Sequence, residues 1–175
     1  MKTKLLSLAV ILSLFIISCS AIDNLLTFNI SQETSFTINS GLPINLPFDV
    51  ETPDVTTNSS SVFKNNNTKA DLVKDVKLTE LKLTITDPAS QDFSFLKSVH
   101  LYISTDGRDE IELAYMDDVN STANNLNLTC TGEKLDDYIK APSYKIRTSI
   151  TTKKMLNQNV TVKANMKFKV TADPL

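Results

Sequence analysis

Val160-Thr161-Val162-Lys163-Ala164-Asn165-Met166-Lys167-Phe168-Lys169-Val170-Thr171 decides how this chain folds. Apolar residues fill every second position, and threonine, asparagine and lysine fill the positions between. Successive side chains of a strand point to opposite faces, so the segment reads as a strand lying on a core with its lysines in water. Just upstream, Tyr144, Ile146, Thr148 and Ile150 alternate in the same way and give the strand before it.

Further out the pattern repeats. Val99, Leu101 and Ile103 oppose Ser98, His100 and Tyr102, and Asp106-Gly107 is a hairpin signal. The returning strand is expected to carry Ile111, Leu113 and Tyr115 inward and Glu110 and Glu112 outward, pairing 98–104 with 110–116. Leu81, Leu83 and Ile85 form a strand that stops at Asp87-Pro88, because proline restricts the residue before it. Leu126, Leu128 and Cys130 read as one more strand. Phe28, Ile30, Gln32, Thr34, Phe36 and Ile38 share a parity, in one long strand or in two with a kink near Gln32. Pro43 and Pro47 confine the stretch to Val50 to an edge strand or one that changes sheets, since proline cannot donate to a ladder.

The segments between are short. Asn58 to Asn67 reads as a polar loop, with Val62-Phe63 dipping back onto a core edge. Thr68-Lys69-Ala70-Asp71 has capping-box spacing and opens a short helix with Leu72, Val73 and Val76 on one side. Phe93, Phe95 and Leu96 pin a loop, and Leu135 to Ile139 make a helical turn. About eight or nine strands with one or two helical turns predict an all-β fold. The expected architecture is an antiparallel sandwich of immunoglobulin or fibronectin type, with a closed barrel as the alternative. The tryptophan and paired cysteines of a true immunoglobulin domain are missing.

Ahead of the strands stands a different kind of segment. Lys2 and Lys4 precede an apolar run from Leu5 to Ile17, the pattern of a cleaved secretory signal and too short to span a bilayer. The run ends at Ile16-Ile17-Ser18-Cys19, which resembles the bacterial lipobox, in which an aliphatic residue, a tolerant position and a small residue precede the lipidated cysteine. The organisation expected is a signal peptide over 1–18, a lipid-anchored tether over 19–27 and a single sandwich domain over 28–175. The domain is similar in pattern and composition to small β-sandwich lipoproteins of Bacteroidota. That resemblance implies acyl chains on Cys19 and retention at the outer membrane, where two or more chains give stable anchoring. Ser20 stands where inner-membrane retention is associated with Asp, and Ser20-Ala21-Ile22-Asp23-Asn24 holds one acid where surface-export signals hold a cluster. Both departures favour the periplasmic face.

Composition narrows the function. The chain has 18 basic and 20 acidic residues, and loss of Lys2 and Lys4 leaves a formal charge of −4, too mild to point to nucleic acid or an anionic surface. With Cys19 lipidated, Cys130 has no partner for an internal disulfide and is expected to act as a small buried hydrophobe. Only three glycines are present, so no phosphate-binding loop can be built, and neither a metal nor another cofactor is expected. His100 is the single histidine, its parity places it on the solvent face, and no G-x-S-x-G elbow accompanies it. Asp106, Asp109 and Glu110 crowd a turn without the spacing of a calcium loop. The expectation is therefore a non-enzymatic module that binds or scaffolds an envelope protein complex. A carbohydrate- or lipid-binding accessory is the alternative, with Tyr102 beside His100 as the ligand-facing pair and Tyr138 and Tyr144 as further exposed aromatics. Asn29, Asn58, Asn66, Asn120, Asn127 and Asn159 each open an N-glycosylation pattern, so a secreted eukaryotic glycoprotein without an anchor is the third reading.

Overall fold

The computed structural model describes residues 26–175; the signal peptide, Ile16-Ile17-Ser18-Cys19 and all but the end of the tether lie outside the described residues. Ten strands follow in order: β1 (Thr27–Ile38), β2 (Pro47–Glu51), β3 (Val55–Thr56), β4 (Val73–Asp87) and β5 (Leu96–Thr105). The rest are β6 (Arg108–Met116), β7 (Asn125–Asn127), β8 (Thr129–Cys130), β9 (Ser143–Thr152) and β10 (Val160–Ala172). All pairings are antiparallel, and they make two sheets, in the orders β1-β10-β4-β7 and β2-β9-β5-β6-β8, with β3 on the other end of β9. The fold is an all-β sandwich. Among the described residues no helix is long and apolar enough to cross a membrane.

The strand that decided the reading, β10, lies inside the four-stranded sheet between β1 and β4. Val160, Val162, Ala164, Phe168 and Val170 are fully buried, and Lys167 and Lys169 are exposed. β1 pairs with it from Thr27↔Thr171 to Ile38↔Val160 without a register shift, so it is one strand and not two. Gln32 interrupts its apolar parity at no break because it is only half-buried, and its Nε2 donates to Asn58 Oδ1 at 2.9 Å.

β4 corrects the helix expected from Thr68. Only Ala70–Leu72 form a single 3-10 turn, and Val73 and Val76 belong to a strand of fifteen residues. Its apolar residues change parity midway, from Val76 and Leu78 to Leu81, Leu83 and Ile85. The register explains how both sets reach the core: Phe168 faces Leu78, Lys167 faces Glu80, and Thr79 is the extra residue of a β-bulge. One inserted residue flips every side chain beyond it, which is why the halves look like separate elements in sequence. Thr68, instead of capping a helix, donates its hydroxyl to the Asp173 carbonyl at 2.9 Å.

Three further expectations change. Asn58 to Asn67 is not wholly a loop: Ser59–Asn65 form helix α1, whose Phe63 enters the core and meets Phe28 edge-on at 6.2 Å. Leu126, Leu128 and Cys130 are not one strand. β7 pairs with β4 and β8 with β6, so the chain crosses between sheets at Leu128, whose N–H donates to the Leu81 carbonyl. Tyr115 does not point inward. Leu101 faces Ala114 while Tyr102 faces Glu112, so Leu113 is an extra residue and the parity of Tyr115 is reversed. Three local expectations hold: β2 is an edge strand, Gly107 turns the β5–β6 hairpin at φ +76°, and Asp136–Lys140 form a short helix α2.

Candidate functional site

The outer face of the β2-β9-β5-β6-β8 sheet carries the densest chemistry, and the register builds it in two rows. Asp49, Ser149, His100, Tyr115 and Thr129 are successive cross-strand neighbours, one from each strand. Arg147, Tyr102 and Glu112 form the next row. His100 and Tyr102, the pair expected to face a ligand, do stand side by side here on the solvent side of β5, each half-buried.

His100 is held on both nitrogens. Nδ1 lies 2.7 Å from Glu112 Oε1 and Nε2 lies 3.2 Å from Asp117 Oδ1. A neutral imidazole has one N–H, so only the imidazolium donates to both carboxylates. The ring stacks between Tyr115, with centroids 5.9 Å apart, and Tyr102, at 6.5 Å. Over the Tyr102 ring the Arg147 guanidinium sits 4.2 Å from the centroid. Arg147 forks onto Glu110, with Nε to both carboxylate oxygens at 3.1 and 3.0 Å, and reaches Asp49 at 2.9 Å. The Glu110 hydrogen bond drives the guanidinium pKa up, and burial, followed by Glu112, raises that of the Tyr102 phenol.

This geometry clasps β2, β9, β5 and β6 together. Aromatic faces that a sugar ring would need are turned toward one another and toward Arg147. Tyr138 and Tyr144, expected as exposed aromatics, are instead 7% and 1% exposed. Tyr138 donates its hydroxyl to the Asp109 carbonyl at 2.7 Å, and Tyr144 packs edge-on against Phe168. Parity alone places Tyr144 inward, beside Ile146. Glu110 of the crowded turn is engaged by Arg147, and among the described residues no group of three or more histidine, cysteine or acidic side chains is placed to hold a metal ion. Cys130 is half-buried and packs against the core, and burial pushes its thiol pKa up.

A second surface lies at one end of the sandwich. Among the described residues the exposed large hydrophobics are Ile44, Leu46, Met155 and Leu175, of which Ile44 and Leu46 belong to the loop before β2 and Met155 to the loop after β9. The loop after β1 is bonded to the loop after β9: Gly41 N–H donates to Leu156 O, Ser40 N–H to Asn159 Oδ1, and Asn45 N–H to Thr152 O. Beside them, half-buried Leu42, Phe48 and Val50, together with Thr37, Asn39 and Asp49, line an open depression of about 460 Å³ between β1 and β2, the edge strands of the two sheets. This end is opposite to the one where the chain enters β1 at Thr27.

No family model matches the chain, and no curated protein matches it. Solved structures similar to it include that of FLHE, at 7% identity and TM-score 0.34 over 82% of this chain and 97% of that one. Another is the decameric BFDV capsid protein, at 10% and 0.36 over 82% and 96%. Turnip Yellow Mosaic Virus matches at 14% and 0.31 over 85% and 94%. Likenesses this distant carry nothing about function.

Proposed function

We propose that the chain is a lipid-anchored protein of the outer membrane, facing the periplasm, that binds or scaffolds an envelope protein complex. Ile16-Ile17-Ser18-Cys19 supplies the anchor in this reading. The observation that carries the binding role is the apolar end formed by Ile44, Leu46 and Met155. Exposed apolar groups are commonplace singly, but three of them on two loops that backbone bonds tie together, next to a depression part-lined by Leu42, Phe48 and Val50, mark a contact surface. The groove runs between two sheet edges, where an extended segment of a partner can add its backbone to a ladder. β2 is short and carries Pro47, whereas β1 offers twelve residues with no proline, lysine or bulge.

Two measurements test the reading. Metabolic acyl labelling of wild type against Cys19→Ala is expected to lose its signal in the variant, and retained label refutes the anchor. Cross-linking in whole envelopes is expected to recover a fixed protein partner, lost when Ile44, Leu46 and Met155 are all changed to serine while the thermal melt is unchanged. Repeated recovery of the protein alone refutes the scaffold.

A further inference from the structure

The mild net charge hides an asymmetry that the register of the four-stranded sheet creates. On its outer face β10 presents Lys163, Lys167 and Lys169, and β4 presents Lys77 and Lys82. They fall in neighbouring rows: Asn29, Lys169 and Lys77 in one, Ser31, Lys167 and Glu80 in the next, then Glu33, Asn165 and Lys82. Four carboxylates share the face, Asp75 and Asp87 in the rows at its two ends and Glu33 and Glu80 between, and among the described residues only Glu33 of these is ion-paired, 2.9 Å from Lys163, so the rows from Asn29 to Ser35 hold five lysines against two acids. Lys77, Lys82, Lys167 and Lys169 make no ion pair among the described residues. The opposite face of the sandwich has the reverse sign: Asp49, Glu110, Glu112 and Asp117 surround Arg147 and His100, with Lys145 nearby.

The anchor-bearing segment enters this same sheet. β1 begins at Thr27, one row from Lys169 and Lys77. Seven residues separate Cys19 from Thr27, and the eight steps between them reach at most about 28 Å when extended. The lysine rows, from the level of Asn29 to that of Ser35, occupy about 20 Å of strand at roughly 3.4 Å per residue. A lipid on Cys19 therefore keeps the whole lysine face within reach of the surface that holds it.

We infer that the lysine face of the four-stranded sheet lies against the anionic phospholipid surface in which Cys19 is anchored, with the acidic face turned to the periplasm. The inference deepens the reading of a lipid-anchored module and rests on it for the source of the anion. Charge complementarity selects the face, because each lysine brought to an anionic surface favours that orientation by about fivefold, and the opposite sheet is repelled. The acyl chains supply the attachment and the lysines the orientation. Lying this way, the sandwich holds its long axis along the membrane and leaves the Ile44, Leu46 and Met155 end open sideways to a neighbour.

The test is amine footprinting of the lipidated protein in vesicles of phosphatidylglycerol and phosphatidylethanolamine, read lysine by lysine by mass spectrometry against the same protein in detergent. Lys77, Lys82, Lys167 and Lys169 are expected to label at least about fivefold more slowly on the vesicles, and Lys145 at an unchanged rate. The protection disappears in phosphatidylcholine vesicles, at high salt, and in the Lys167→Glu, Lys169→Glu double variant, whose melt shows it folded. Uniform labelling with acyl label present at Cys19 overturns the orientation and leaves the anchor standing. Protection of Lys97 and Lys153 at the apolar end instead, or protection of the four by heparin but not by vesicles, overturns it too. Absence of acyl label removes the anchor, and the inference with it.

Discussion

Replacing Tyr144 by phenylalanine should stabilise the protein, and more so as the solution becomes alkaline. Tyr144 is 1% exposed, lies edge-on to Phe168, and its hydroxyl has no hydrogen-bond partner among the described residues. An unpartnered buried hydroxyl costs about 1–3 kcal/mol of desolvation, and removing one oxygen leaves too little space to offset that. The expected gain near neutral pH is therefore about 1 kcal/mol, or roughly 2–4 °C in Tm for a chain of this size. Burial also raises the phenol pKa above its ordinary value of 10.0. Between the unfolded and folded values the unfolded chain binds fewer protons, so wild-type stability falls as pH rises past about 10, by up to about 1.4 kcal/mol per pH unit for this one group. Phenylalanine has no proton to lose, so the variant's advantage widens over the same range. Paired urea melts at about pH 7 and about pH 10.5 measure both effects. A variant less stable than wild type would show that the hydroxyl has a partner, and an advantage independent of pH would show that burial does not hold the phenol neutral.

Deleting Thr79 should prevent folding: without the bulge either Val73, Val76 and Leu78 or Leu81, Leu83 and Ile85 turn to solvent. At about 1.5–3 kcal/mol each this rivals the whole stability of a typical domain, whereas Thr79→Ala costs under about 1 kcal/mol, and circular dichroism of the two proteins tells them apart. Arg147→Lys keeps the charge but loses the fork onto Glu110 and the flat contact with Tyr102, so the urea midpoint should fall by about 1 kcal/mol equivalent at low salt and by less at high salt. An unchanged midpoint would mean that the clasp on the outer sheet face is solvated and contributes nothing.

Local alternation was enough to place most of the strands, because the period of two is written directly into residues such as Val160 to Val170 and Val99 to Ile103. It failed where one residue is inserted. Thr79 and Leu113 each shift the parity, so β4 looked like a helix joined to a strand and Tyr115 looked buried. The segment from Leu126 to Cys130 alternates like one strand but divides its backbone bonds between two sheets, and no local signal distinguishes the two cases. In the site, the outward parity of Glu112 and Arg147 was readable. Their distances to His100 and Tyr102 depend on which strands become neighbours, and β9, from which Arg147 comes, lies between β2 and β5 only in the folded sheet.

By itself the sequence determined the all-β class, the strand faces and the short motif ending at Cys19, all of which depend on residues within a few positions of one another. Only the tertiary structure decided which side chains share a surface. A net charge is a sum without positions, and the register of β10 with β4 turned it into a lysine face on one sheet and an acidic face on the other. Loops some 110 residues apart met at one end through backbone bonds such as Gly41 to Leu156, and brought the loop of exposed Ile44 and Leu46 to the loop of exposed Met155. Pairing across that distance is decided by the energy of the whole core, and for that reason it cannot be read from any one stretch of the chain.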